Sequence, residues 1–330
     1  MNKAIYGLAA FAAISLAFPL SGAEYRITGP HVNGNLSVYL IHGPNRTPRH
    51  FLTLQEALEQ KKAVVFETGR VNELAIQNLS QTEDIYVQSG DIVKGGQQDR
   101  TLKDDLIIPS GSGKVSISSF CVEHGRWSQR GGETAGRFDS SSQAVATREV
   151  KKAMKLSADQ SEVWSKVAET QRKLSLSVGG SVAAPASPSS FMLSLESPSL
   201  QRPVEDHIRA LTALGTASLD VVGYAFAVNG KLSSADIYAT NDMFRKQWAK
   251  LLRSSAVEAI AERASGTPPP PPSIDAVRGF LAGADQGNST SNDLTPRTRR
   301  VTKETDREAL FETRDRAQSD AWIHRSYLVK

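Results

Sequence analysis

The 330-residue chain has one cysteine, Cys121, so no internal disulfide can form and stability must come from a packed core. Familiar catalytic spacings are also missing. No glycine pattern matches a P-loop or a dinucleotide fingerprint, and there is no hydrolase nucleophile elbow. The six histidines, His31, His42, His50, His124, His207 and His324, include no i, i+4 pair beside a carboxylate, which excludes a zincin-type metal site. An excess of one charge is lacking too: 39 basic and 35 acidic residues leave +4, too little and too dispersed for bulk nucleic-acid binding. Long apolar runs are absent except at the start, where Lys3 precedes Ala4–Leu20 and Ser21-Gly22-Ala23 follows. That run is short, broken by Pro19 and closed by small residues, the pattern of a secretory signal peptide over residues 1–23. With no cysteine at the processing site, the expectation is an exported, periplasmic or secreted protein with no lipid anchor and no stable membrane span.

What is present predicts an α+β fold: two β-rich lobes with packed helices and an inserted helical pair. Residues 24–176 are expected to form the first lobe. It has strands at Leu36–Ile41, Ala63–Glu67, Val71–Asn78, Ile85–Val87, Asp105–Ile108 and Val115–Ser119, supported by period-two alternation and β-branched residues. Thr53 with Glu56 three residues on is a capping-box pattern that starts a helix at Leu54–Gln60. Ser141–Met154 and Ala158–Leu174 carry helix formers and read as the inserted pair. Residues 177–198 are rich in Gly, Ala, Ser and Pro and read as a flexible loop. The second lobe, residues 199–265, combines a helix at Leu200–Leu214, a hairpin turning at Asn229-Gly230 and an apolar-faced helix at Asn241–Arg263. Five prolines, Pro268–Pro272, open a proline-rich and polar spacer over residues 266–300, and residues 301–330 read as a hairpin closing the second lobe.

Two short blocks concentrate the chemistry. In the first, Gly95-Gly96 lets backbone approach a ligand while Gln97, Gln98, Asp99 and Arg100 offer donors and acceptors; the alternative is a tight hairpin. In the second, Cys121, Glu123, His124, Arg126 and Trp127 follow a strand end. Cys121 reads as a nucleophile with His124 as base or as a buried apolar residue. Glu123 reads as an ion-pair partner of Arg126 or of Arg100, and Trp127 as a stacking surface or as packing over Gly125. Asp236 and Asp242 read as helix-start caps without a catalytic role.

Thr53-Leu-Gln-Glu-Ala-Leu58, Gly95-Gly-Gln-Gln-Asp-Arg100 and Cys121-Val-Glu-His-Gly-Arg-Trp127 together resemble a small family named for its association with ADP-ribosylglycohydrolases and rhodanese-phosphatase superfamily proteins. Val222–Ala225 and Asp236–Tyr238 add weaker support, so the resemblance spans about Gly34 to Ala259. It implies a domain in the neighbourhood of ADP-ribose or phosphate metabolism and specifies no activity. The sequence thus predicts a ligand-binding or accessory protein with a polar site made by the two blocks, open to a small anionic ligand and to a protein partner. A hydrolase acting on an anionic small molecule and a structural envelope protein are the alternatives. No catalytic residue, cofactor or metal is specified.

Overall fold

The computed structural model describes residues 25–47 and 49–330, apart from the side chains of residues 139–142; the expected signal peptide lies outside the described residues. An eight-stranded sheet runs in the order Arg26–Asn33, Leu36–His42, Val221–Val228, Lys231–Tyr238, Ala321–Val329, Glu308–Asp315, Thr298–Glu304, Asn288–Asp293, with every neighbouring pair antiparallel. All seven residues of Leu36–His42 are buried. This inner strand carries Val38, Tyr39, Leu40 and Ile41, and such near-continuous apolar runs suit a sheet covered on both faces. The Asn229-Gly230 turn has positive φ at both residues, as a type I′ hairpin requires.

Two helices cover the sheet. Asn241–Ala261, N-capped by the Thr240 hydroxyl, packs Phe244, Trp248, Leu251 and Leu252 against Leu40, Tyr224 and Phe226. Ile274–Asp285, capped by Ser273, sets Val277, Phe280 and Leu281 against Tyr39, Ile41 and Tyr327. Fully burying one such apolar side chain contributes about 1.5–3 kcal/mol, so these faces hold both helices in place.

Between the second and third strands of the sheet, the chain builds a closed six-stranded barrel from Ala63–Arg70, Glu73–Asn78, Asp91–Gly95, Arg100–Leu102, Val115–Cys121 and Arg137–Val145. Val65, Leu74, Ile76, Val93, Leu102, Ile117 and Phe138 belong to its core. Helix Leu54–Glu59 starts with the predicted capping box, Thr53 and Glu56 bonding reciprocally. A helical layer follows: Arg148–Lys152 passes through a π turn at Ala153–Ser157 into Gln160–Val178, then Phe191–Leu195 and Pro198–Leu211. The fold is mixed α+β and rich in strand. No helix of the described residues is long and apolar enough to cross a membrane.

Three segments depart from the sequence expectation. The expected helix at Ser141 is strand as far as Val145, because pairing of Ser140 and Ser141 with Lys94 and Val93 closes the barrel. The expected spacer contains helix Ile274–Asp285 and two strands, Asn288–Asp293 and Thr298–Glu304. Asn288–Asp293 is an exposed edge strand, so its side chains are polar while its backbone still pairs. Residues 177–198 include a tight turn and one short helix, Phe191–Leu195, with Val182, Ser187, Ser190 and Phe191 buried.

Candidate functional site

The two blocks meet at one end of the barrel. Asp91–Gly95 and Arg100–Leu102 are adjacent strands, and Arg100 lies opposite Cys121 on Val115–Cys121. The hairpin tip demands glycine: Gly96 has φ +55°, and a Cβ there would sit 2.5 Å from the Phe138 ring.

From this turn an ionic network closes inward. Glu123, with 0% exposure, accepts from Arg126 Nε and Nη2 at 2.6 Å each, from Arg130 at 3.2 Å, from the Asp99 backbone N–H at 3.0 Å and from the Ser187 hydroxyl. Asp99, also 0% exposed, takes both Arg130 terminal nitrogens at 3.0 Å and the Ser190 hydroxyl at 2.7 Å. Arg126 further donates to the carbonyls of Gly95 and Gly96. Bidentate guanidinium pairing of this kind fixes orientation as well as charge. Burial works against charge on Glu123, but the bonds from Arg126 and Ser187 outweigh it and hold its pKa below the usual carboxylate range. For Asp99 burial wins over Arg130, and its pKa is raised.

Arg100 takes a different partner from those anticipated. It points to Gln98, to the Cys121 sulfur at 2.8 Å and to Glu67 at 3.5 Å, away from Glu123. Trp127 lies over it, 5.4 Å from guanidinium carbon to ring centroid, and does not pack over Gly125, where a Cβ would meet open space. His124 is exposed and stacks edge-on against Trp164, whose indole N–H donates to the Glu123 carbonyl. Gln97 gives its backbone N–H to Glu67, while its side-chain oxygen is buried without a partner, as is Arg100 Nε.

The structure therefore brings together Gly95, Gly96, Gln97, Gln98, Asp99, Arg100, Cys121, Glu123, Arg126 and Trp127, with His124 at the margin. Sequence reasoning missed Glu67, Arg130, Ser187 and Ser190. Arg130 carried a faint signal, lying four residues beyond Arg126 in the same glycine-rich loop; the serines carried none, since their segment reads as a loop by composition.

Cys121 cannot act as a thiolate here. It is fully buried, and burial pushes its pKa up to about 11 against the opposing Arg100 charge. At pH 7 only about one thiol in ten thousand would be ionised. Thiol reagent added to the native protein is therefore expected to label Cys121 at least ~100-fold more slowly than after denaturation. Comparable rates in the two states would show that the barrel end is open.

A second buried cluster was also missed. His324 sits between two carboxylates, Nδ1 at 2.8 Å from Asp105 and Nε2 at 3.1 Å from Asp236, with Tyr238 stacked 4.4 Å away. Both ring nitrogens face acceptors, so the ring is held as imidazolium. Burial opposes that charge, but Asp105 and Asp236 outweigh it and raise the His324 pKa. Asp236 is thus no helix cap; Thr240 caps the following helix, and Asp242 pairs with His50 at 3.2 Å. Among the described residues no group of three His, Cys, Asp or Glu side chains could hold a metal ion.

A family model described as the ARG and Rhodanese-Phosphatase-superfamily-associated Protein domain matches residues 24–328. No curated protein and no solved structure matches the chain significantly.

Proposed function

The chain belongs to this ARG and Rhodanese-Phosphatase-superfamily-associated domain family, and since that description names associations and no reaction, we propose that the protein is an exported binding or accessory protein. In this reading the barrel and the eight-stranded sheet are its two lobes. The two sequence blocks form the rigid base of a recognition loop, residues 122–136.

The observation that carries the reading is Trp127. It is 45% exposed and is the only Phe, Tyr or Trp among the described residues in the exposed class. Its loop is pinned by Arg126 and Arg130, so the indole is presented from a fixed support. Arg100 covers one side of the ring, which leaves the other for a planar ligand. The guanidinium groups of Arg126 and Arg130 are committed to Glu123 and Asp99, which favours a planar polar ligand over a simple anion. A high Cys121 pKa and a saturated Glu123 supply neither nucleophile nor base, so the hydrolase alternative gains nothing from this geometry.

The test is a thermal-shift screen of residues 24–330 against nucleosides, nucleotides, ADP-ribose and sugars, with Trp127→Ala alongside. The variant is expected to melt within about 2 °C of the parent, since it empties no core, and to lose about 10-fold in affinity for any stabilising compound. A hit that the variant retains in full would remove Trp127 from the site.

A further inference from the structure

Away from the motif blocks, helices Arg148–Lys152 and Gln160–Val178, the end of Asn241–Ala261 and the Asn229-Gly230 hairpin enclose two adjoining clefts. The larger measures about 410 Å³, in the range of small-molecule sites, and the smaller about 30 Å³, room for a single ammonium-sized group.

One of its carboxyl groups has no ion-pair partner. Four glutamates face three cations, Arg148, Lys173 and Lys231. Glu149 pairs with Arg148 at 2.9 Å, and Lys173 serves both Glu169 at 2.9 Å and Glu262 at 2.7 Å. Glu258 alone has no cation within ion-pair distance among the described residues. Its oxygens accept only the Arg148 backbone N–H at 2.7 Å and the Ser233 hydroxyl at 3.0 Å, and burial raises its pKa although Arg148 and Lys151 favour its charge.

Beside it in the smaller cleft lies Thr147. The residue is 4% exposed, it occupies the N-cap position of Arg148–Lys152 without making a capping bond, and its hydroxyl oxygen has no partner. An orphaned hydroxyl next to an unmatched carboxylate costs folding stability and returns nothing within the chain, as expected of groups kept for a ligand.

We propose that this cleft binds a small organic ammonium ion, a primary amine or short polyamine, whose ammonium group donates to Glu258 and Thr147. An ammonium supplies a direct ion-pair partner for Glu258 and three donors in one group, which neither an anion nor a plain polyol does. The site shares no residue with the Trp127 loop and stands independently of the function proposed there.

The experiment is calorimetric titration of residues 24–330 with 1,4-diaminobutane at constant ionic strength, against sodium chloride as the screening control. Saturable binding is expected, weakened about 10-fold or more in Glu258→Gln and several-fold in Thr147→Val. Glu258→Gln should fold at least as well as the parent, because it removes a carboxyl whose charge burial disfavours; if it does not fold, Thr147→Val decides alone. Heats equal to those of sodium chloride, or undiminished binding in the folded variants, would overturn the proposal.

Discussion

Glu123→Ala is expected to lower folding stability by about 3–5 kcal/mol, the range for breaking a buried ion pair and stranding its partner. Here two partners are weakened. Arg126 and Arg130, with side chains 9% and 8% exposed, would share Asp99, whose pKa burial already raises, and only Arg130 would keep a second carboxylate, Glu133. The Asp99 backbone N–H and the Ser187 hydroxyl also lose their acceptor. The loss spreads because Glu123 holds three separate segments: the Gly95–Arg100 hairpin through Asp99 and Arg126, the loop of residues 122–136 through Arg130, and the 177–190 segment through Ser187. Calorimetry should show a fall in Tm of roughly 10 °C. A loss under about 1 kcal/mol would mean that the arginines turn out to water, and the network would then be a surface feature. The contrast with Trp127→Ala is diagnostic, since one variant removes the support and the other only what it presents.

His324→Ala is expected to be comparably severe, about 3–5 kcal/mol, because Asp105 and Asp236 would be left buried without their shared cation. This cluster also sets the shape of the pH profile. His324 has a folded pKa above its unfolded value of about 6.5, so its contribution is complete below that pH and is lost as pH rises through the folded value. Asp105 and Asp236 have folded pKa values below their unfolded value of about 3.9, so their contributions are present above it and are lost as pH falls through the folded values. Urea unfolding between pH 5 and 9 should thus show an alkaline decline in the parent that is absent in His324→Ala. Lys155 and Glu258 also carry shifted pKa values, and Lys155 is coupled to Asp105, so the difference between the two curves reports on the His324 cluster as a whole. Parallel curves would show that His324 is neutral in the fold.

Local features of this fold were readable because their causes are local. Thr53 and Glu56 satisfy each other's backbone within one turn, and Asn229-Gly230 can reverse the chain with no help from elsewhere. The two blocks were visible as unusual composition, and one barrel register brings them together. What composition could not show was burial. A run of Gly, Gln, Asp and Arg reads as surface until its partners are known, and those are the Arg130 charge in a glycine-rich loop and two serine hydroxyls about ninety and sixty residues away. His324 reads as a lone histidine because Asp105 lies 219 positions earlier. The polar edge strand Asn288–Asp293 escaped for the opposite reason: backbone pairing, with no apolar stripe, holds it in place.

The strand order also constrains when the protein can become itself. Ala321–Val329 lies inside the eight-stranded sheet, between Lys231–Tyr238 and Glu308–Asp315. The barrel is built entirely from residues 63–145, so it can close while later residues are still emerging from a ribosome. The large sheet cannot. Until residue 329 is available, Lys231–Tyr238 exposes an unpaired edge and His324 has not reached its two carboxylates. Maturation should therefore proceed in two stages, a fast local barrel followed by a slow, nonlocal zipping of the sheet.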